Sequence, residues 1–349
     1  MAVRNITGNQ LSKEILLSIA GQEKQGQAYI FDGEEDIGKN FAALQFAKAI
    51  NCLSPKDGHD SCDECRNCRL LDRVFSDLDE DGMQKNPHPD VLYVNTEKAQ
   101  LSIELVRDKL NEMNSYGRIE LKKKIVIIND AEKMNREASN SILKELEEPH
   151  ENVLIILLVN NLEKILPTII SRCYKIELKR AGKKEIEAKL ALLKPDWDRD
   201  RIEEAAEFSE GRIGAALHFE EVKEGIKYTV ELFRKIASTG TDIGDIFESL
   251  QRIDSEKKGA KTGGEGRMFL LDILKILSYI YKDLILEKLG LKQVLQRKYG
   301  LKQSDIKDCS VQGLSNILKL IESAQRDLMQ NANVSLLFTN LFFNIRQQN

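Results

Sequence analysis

The apolar and polar positions of this chain follow two rhythms, and the change between them falls near Lys179. Up to about residue 178, short apolar runs alternate with stretches whose apolar residues recur at turn spacing. Val153–Val159 is an unbroken apolar run of seven residues, and Ile125–Ile128 is a shorter one. Such runs mark strands covered on both faces, the habit of a parallel sheet. Gln27–Phe31 and Val91–Val94 are predicted as further strands, the second following breaks at Pro87 and Pro89. The spacing predicts helices over Phe41–Ile50, Ile103–Met113 and Asn135–Glu148, the last stopped by Pro149. Strands alternating with helices predict an α/β fold with a parallel sheet.

Beyond Lys179 no strand pattern recurs. Lys183–Leu193, Arg201–Phe208, Ile213–Ser238, Met268–Leu289 and Val311–Ile345 read as amphipathic helices. Ser255–Gly266 (SEKKGAKTGGEG) has no large apolar residue and reads as a linker. The acidic stretch Asp77–Asp81 reads as a solvated loop. The expected division is an α/β domain over 1–178, a helical domain over 179–254, a linker over 255–266 and a second helical domain over 267–349.

Four stretches carry candidate chemistry. Gly33-Glu34-Glu35-Asp36-Ile37-Gly38-Lys39-Asn40 follows a strand and opens a helix, with the G-x-x-x-x-G-K spacing of a phosphate loop. Such a loop cradles phosphates on backbone N–H groups at a helix N-terminus, and its next Ser or Thr holds Mg²⁺. Here that next residue is Asn40, and three carboxylates crowd the phosphate position. Both readings stand, a nucleotide site or a strand–turn–helix junction that keeps the fold; the two defects favour the junction. Ile125–Ile128 then leads into Asn129-Asp130, where a Walker B strand would end in two acids. Asn129 replaces the metal-binding acid and Asp130, one methylene short, the usual Glu; Asp130 also reads as a helix N-cap.

The third stretch is Cys52-x₉-Cys62-x₂-Cys65-x₂-Cys68. Four thiolates at this spacing suit tetrahedral zinc with a closed shell, which is a structural site. His59, inside the loop, reads as a substitute ligand or a solvated residue. The fourth is Ser171-Arg172-Cys173, after the strand ending at Asn160-Asn161. Arg172 reads as a surface residue or as a finger reaching a neighbour's γ-phosphate in trans. Cys173 reads as a small buried hydrophobe.

Composition narrows the picture. In 349 residues, 42% are hydrophobic and 31% charged, which excludes a disordered chain. No apolar run approaches the roughly 20 residues of a bilayer span, and the first residues lack the apolar region of a secretory signal. A formal net charge of −4 argues against strong nonspecific nucleic-acid binding by the whole chain. Clustered cysteines without a secretory signal place the chain in a reducing cytoplasm, with no membrane partner.

These motifs, in this order, resemble bacterial DNA polymerase III clamp-loader subunits of the AAA+ superfamily. The resemblance rests on Gly33–Asn40, the Cys52–Cys68 module after the phosphate-loop helix, and His88-Pro89-Asp90 before a strand. It continues through Asn140-Ser141-Ile142-Leu143-Lys144-Glu145-Leu146-Glu147-Glu148-Pro149, Ser171-Arg172-Cys173 and the helix start Asn331-Ala332-Asn333. It implies an AAA+ domain, a helical lid and a helical collar. The family's motor subunits keep a Ser or Thr after the lysine, an Asp-Glu pair at Walker B and a sensor-2 arginine. This chain has Asn40, Asn129-Asp130 and Gly214, with Arg212 nearby. The departures resemble the delta-prime type of subunit. That resemblance implies no intrinsic ATPase, doubtful ATP binding, an arginine finger at Arg172, and partners of gamma/tau and delta type. It further implies a sliding clamp and primed DNA reached through the complex. The alternatives are an ATP-hydrolysing motor subunit and, from another class, a zinc-module nucleic-acid binder on an inactive scaffold. The latter needs a basic face, yet Lys56, Arg66, Arg69 and Arg73 are offset by Asp57, Asp60, Asp63, Glu64 and Asp72. Lys122-Lys123-Lys124 reads as a solvated edge.

Overall fold

The computed structural model describes residues 2–22, 28–76, 88–94, 117, 119–147, 152–237, 265–291, 299–301, 309–329 and 332–348. The chain divides into two units, Met1–Leu217 and His218–Asn349.

The first unit begins with helix α1 (Gln10–Ala20) and strand β1 (Ala28–Asp32). Helices α2 (Lys39–Asn51) and α3 (Arg66–Ser76) lead to β2 (Val91–Val94) and β3 (Lys124–Ile128). Then come α4 (Arg136–Glu147), β4 (Val153–Val159), the short α5 (Pro167–Ile170) and β5 (Tyr174–Glu177). Three helices close the unit: α6 (Lys183–Leu193), α7 (Arg199–Ser209) and α8 (Ile213–Leu217). The strands form one five-stranded sheet in the order β2-β3-β4-β1-β5. Every pairing is parallel.

The unbroken apolar runs are resolved into two faces by the period-2 pleat. Tyr29, Phe31, Ile125, Ile127, Leu154, Ile156 and Leu158 pack with Ala42, Ala43 and Phe46 of α2. Ile30, Val126, Ile128, Ile155, Leu157 and Val159 pack with Ile142 and Leu146 of α4 and Ile169 of α5. Each such side chain removed from water contributes about 2 kcal/mol.

Several elements depart from the expected pattern. β5 has one inward residue, Ile176, and lies at the sheet edge, so its sequence shows no apolar run. Helices α1 and α3 also went unpredicted; Ser12 and Leu16 alone are buried on α1. Asn135 lies before α4 and caps it, its Oδ1 accepting the Ala138 N–H at 2.7 Å. The helix predicted over Ile213–Ser238 breaks at His218, where the two units meet in sequence. The Lys122–Lys124 run is a solvated edge only in part: Lys122 is exposed while its Nζ donates to the Cys52 carbonyl, Lys123 is half-buried with its N–H donating to Asn51 Oδ1 at 2.8 Å, and Lys124 is buried. The helix expected over Ile103–Met113, the loop Asp77–Asp81 and linker residues 255–264 lie outside the described residues.

Asp90, from the His88-Pro89-Asp90 stretch, is fully buried. Its carboxylate accepts the backbone N–H groups of Ile119, Glu120 and Leu121 at 2.6–3.0 Å, anchoring the approach to β3. Burial opposes its charge, but those donors outweigh it and hold the carboxyl below the usual range.

The second unit is helical among the described residues: α9 (Phe219–Ala237), α10 (Glu265–Lys288), α11 (Val311–Met329) and α12 (Val334–Gln348). Their apolar stripes meet in one core containing Phe233, Ile273, Leu277, Ile317, Ile321 and Phe342. Glu265 and Gly266, expected at the end of the linker, begin α10. Val311–Ile345, expected as one helical stretch, is two helices. Asn333 caps the second by accepting the Leu336 N–H at 3.1 Å. Asn331 lies outside the described residues. Among the described residues no helix is long and apolar enough to cross a membrane.

Candidate functional site

The strand order explains which loops meet. With β1 beside β4 and β4 beside β3, the segments leaving their C-terminal ends share one edge of the sheet. This is where parallel α/β sheets place ligands. Gly33–Lys39 leaves β1, Asn129–Glu132 leaves β3 and Asn160 leaves β4.

The loop after β1 is closed on its own lysine. Lys39 is buried, and its Nζ donates to the Gly33 carbonyl at 2.8 Å, the Glu34 carbonyl at 2.7 Å and Asn160 Oδ1 at 2.7 Å. Asn160 Nδ2 in turn donates to Asp130 Oδ1 and Glu132 Oε1, both at 2.8 Å. Burial lowers the Lys39 pKa, and Asp130, Glu132, Glu35 and Asp36 pull against that. Asn40 sits at the metal-handling position, and its Oδ1 accepts the Tyr93 hydroxyl at 2.9 Å. The Asn129 N–H donates to the Val94 carbonyl. Asp130 stands at the N-cap of the 3₁₀ turn Ala131–Lys133, but its side chain does not cap. Its carboxylate instead takes Asn160 and Lys133, whose Nζ lies 2.6 Å away.

The loop acids are tied to the following helices as well, Glu34 through its carboxylate and Asp36 through its backbone. Arg180 donates to the Glu34 carboxylate at 2.6–3.0 Å and reaches Glu210 at 3.4 Å. The Asp36 carbonyl accepts the Gly214 N–H at 2.8 Å. A Cβ at 214 would stand 2.8 Å from that same oxygen, so only glycine fits without moving the loop. Gly38, at φ 100°, would set a Cβ 3.2 Å from Ile213. Arg212 Nε donates to the Ser209 carbonyl at 3.2 Å.

The sequence singled out Gly33, Gly38, Lys39, Asn40, Asn129 and Asp130, and the fold brings their segments together. It did not single out Asn160, Glu132, Tyr93 or Arg180. The one local signal for Asn160 is a polar residue directly after the longest apolar strand.

At the other end of α2, Cys52, Cys62, Cys65 and Cys68 place their sulfurs within 4.8 Å of one another. Tetrahedral zinc with bonds of 2.3 Å needs sulfurs roughly 3.8 Å apart, so the set fits with small adjustment. The Cys62 N–H donates to Cys52 Sγ and the Cys65 N–H to Cys62 Sγ, both at 3.3 Å. Burial pushes the Cys52 and Cys68 thiols up. Burial also acts against the Cys65 thiolate, but hydrogen bonds from Leu53, Cys68 and Cys62 outweigh it and bring Cys65 down to about 6. His59 is outside the sulfur group, its ring packed where a Cβ on Gly21 would be. Lys48 is buried on the neighbouring turn of α2, with Asp63 and both oxygens of Asp72 around its ammonium. Asp60 is buried and accepts the N–H groups of Val3, Arg4 and Ser61, tying the module to the chain's start.

Arg172 follows α5. Its side chain is 37% exposed, with Nη2 2.8 Å from Glu147 Oε1 and Nη1 donating to the Thr168 carbonyl at 3.0 Å. Cys173 is half-buried beside it, and burial pushes its thiol up to about 11, the opposite of what a nucleophile needs.

Comparison with known proteins places this geometry in a family. Residues 8–182, half of the chain, match the family model described as DNA polymerase III, delta subunit. The DNA polymerase III subunit delta' of Bacillus subtilis is 30% identical over 177 residues, covering 51% of this chain and 49% of that protein. The delta' subunit of Pseudomonas aeruginosa is 28% identical over 235 residues, covering 66% of this chain and 67% of that protein. The tau subunit of Bacillus subtilis is 30% identical over 204 residues, covering 58% and 33%. The match thus spans about half the length of the first of these relatives. With half of its length matched by that model and two delta' subunits among its relatives, the chain belongs to the DNA polymerase III, delta subunit family.

Proposed function

We propose that the chain is a delta-prime-type subunit of a clamp loader, an AAA+ protein that does not hydrolyse ATP and completes a neighbour's ATP site with Arg172. The observation that carries this reading is a contrast within one unit. Arg172 presents a half-exposed guanidinium. The chain's own Mg²⁺-handling positions hold Asn40, bonded to Tyr93, and Asn129. A finger stabilises the charge that develops on the transferred phosphoryl group, and it is worth roughly 10³–10⁵ in rate where it is the sole finger. The neighbour is a gamma/tau-type motor subunit, and delta completes the complex that opens a sliding clamp on primed DNA. Helices α6 to α8 form the lid, and α9 to α12, which share one core, form the collar through which the ring is braced. Gly33, Gly38, Lys39, Asn40, Asn129 and Asp130 are the remnant of a nucleotide site. Cys52, Cys62, Cys65 and Cys68 hold one structural zinc, which fixes the loop and takes no part in hydrolysis.

Against a motor subunit stand the closed Lys39 network and the missing hydroxyl at Asn40. Against a nucleic-acid-binding zinc module stand the ion pairs of Lys48 with Asp63 and Asp72 and of Lys56 with Glu64. Reconstitution with motor and delta subunits tests the reading. Arg172→Ala is expected to assemble normally and to lower ATP hydrolysis and clamp loading by the complex. Normal assembly with undiminished hydrolysis and loading would return Arg172 to the status of a surface residue.

A further inference from the structure

We propose that Glu147 is the positioning residue for Arg172, holding the guanidinium in one orientation until a neighbour's phosphate engages it; the proposal rests on the trans-acting reading of Arg172. Glu147 belongs to the Leu143-Lys144-Glu145-Leu146-Glu147 stretch, to which no role has been given above. Its position follows from packing. Ile142 and Leu146 of α4 are buried in the same core as Ile169 of α5. The residue after Leu146 therefore emerges beside the short helix that Arg172 follows.

The contact has the form needed to aim a cation. Glu147 Oε1 lies 2.8 Å from Nη2, and the Thr168 carbonyl accepts from Nη1 at 3.0 Å. Both terminal nitrogens thus have fixed acceptors, and two contacts to a planar group set its plane. A guanidinium has five N–H donors, so donors remain for a phosphate oxygen. Glu147 and Arg172 are 52% and 37% exposed, which leaves the pair open to a large partner. A half-exposed pair of this kind is worth a factor of only a few, small enough for a polyphosphate to displace or share it. An unrestrained arginine would have to be ordered at the moment of binding, and Glu147 removes much of that cost beforehand.

The test is a double-mutant cycle in the reconstituted complex, reading the Arg172-dependent part of ATP hydrolysis, that is, wild type minus Arg172→Ala. Glu147→Ala is expected to cut that part roughly two- to fivefold through kcat, with KM for ATP and assembly unchanged. Glu147→Gln keeps an oxygen acceptor at the same reach and is expected to recover most of the loss. Glu147→Ala in the Arg172→Ala background is expected to add nothing, because Glu147 acts only through the arginine. A normal rate for Glu147→Ala while Arg172→Ala is slow overturns the positioning role and leaves the finger standing. An equal Glu147→Ala loss in both backgrounds overturns it too, as an effect that bypasses Arg172. A wild-type rate for Arg172→Ala removes the finger itself and the proposal with it.

Discussion

Helix α2 carries a cluster of charged or reactive side chains at each end, and the two clusters meet their bonding needs by different routes. At the N-terminal end, Lys39 binds two loop carbonyls and Asn160, Asn160 binds Asp130 and Glu132, and Glu34 binds Arg180. The polar groups answer one another, and Gly214 closes over Asp36. At the C-terminal end, four sulfurs gather, and backbone N–H groups such as those of Cys62 and Cys65 donate to them. Four buried or half-buried thiols so close together repel one another once ionised, so this cluster calls for a cation. One end satisfies its charges from within the protein; the other gathers the donor set of the zinc site we propose. A phosphate-loop spacing and a cysteine spacing look equally formal in sequence, and only the partners of each side chain tell them apart.

The largest expected effect lies at the sulfur end. Purified protein is expected to contain one zinc per chain. Cys68→Ser should abolish zinc binding and destabilise the first unit by about 4 kcal/mol or more, because metal binding there is folding free energy. Metal analysis and thermal unfolding read the two quantities. Full stability in a zinc-free preparation would show that the sulfurs are ordinary core thiols. The damage is expected to spread beyond the loop, since Asp60 holds Val3 and Arg4 and Lys122 holds the Cys52 carbonyl.

How much of this was legible in the sequence follows from distance along the chain. Cys52 to Cys68, Gly33 to Asn40 and the apolar runs of β3 and β4 are local patterns, and each was readable. Asn160 is 121 positions from Lys39, and Arg180 is 146 from Glu34. Only the crossing β3-β4-β1 order brings such residues together, and one sequence does not state that order. β5 escaped for a different reason: an edge strand needs one inward residue, and Ile176 alone makes no period. The ion pair of Arg172 with Glu147 joins two stretches that the sequence had marked separately.

The next effect concerns the charge buried between the two ends. Lys48→Met leaves Asp63 and Asp72 without their shared cation and is expected to cost about 1–3 kcal/mol. Burial works against the Lys48 ammonium, but Asp63 and Asp72 raise its pKa overall. A raised pKa gives stability that is fully present below the unfolded value of about 10.4 and is lost as pH climbs through the folded value. Asp63 is also opposed by burial, yet Lys48 lowers it. Its contribution is present above the unfolded value of about 3.9 and fades as pH falls through the folded value. The stability difference between wild type and Lys48→Met should therefore begin to shrink above about pH 10.4 and below about pH 3.9, and close only beyond the raised folded value of Lys48 and the lowered folded value of Asp63. Parallel curves across the whole range would show that Lys48 acts through packing alone.

At the phosphate-loop end the substitutions sharpen the contrast by attempting repair. Gly214→Arg restores a cation where the resemblance expects one. Its Cβ meets the Asp36 carbonyl at 2.8 Å, so it is expected to cost about 1–3 kcal/mol. It should give the isolated chain no ATP turnover. Asn40→Thr likewise should restore none, because Asn129 still offers no carboxylate for Mg²⁺. Mg²⁺-dependent turnover by wild type, or by either variant, would show the loop to be closed only in the absence of nucleotide.

The smallest expected effect on the fold, and the most selective on function, is at Arg172. Its contacts are one half-exposed ion pair and one carbonyl, so Arg172→Lys should change stability by less than about 1 kcal/mol. Lysine keeps the charge and loses the planar fork that binds two phosphate oxygens at once. If Arg172 serves a neighbour's ATP, the lysine variant should assemble, keep its zinc and unfold as wild type does, while the complex hydrolyses ATP more slowly than wild type and faster than with alanine. If the arginine merely decorates the surface, lysine, alanine and wild type should be indistinguishable in the complex. The comparison isolates function from stability because the residue is attached so lightly: a side chain with few bonds of its own inside the unit has little to lose there, and whatever its substitution removes must lie in the partner.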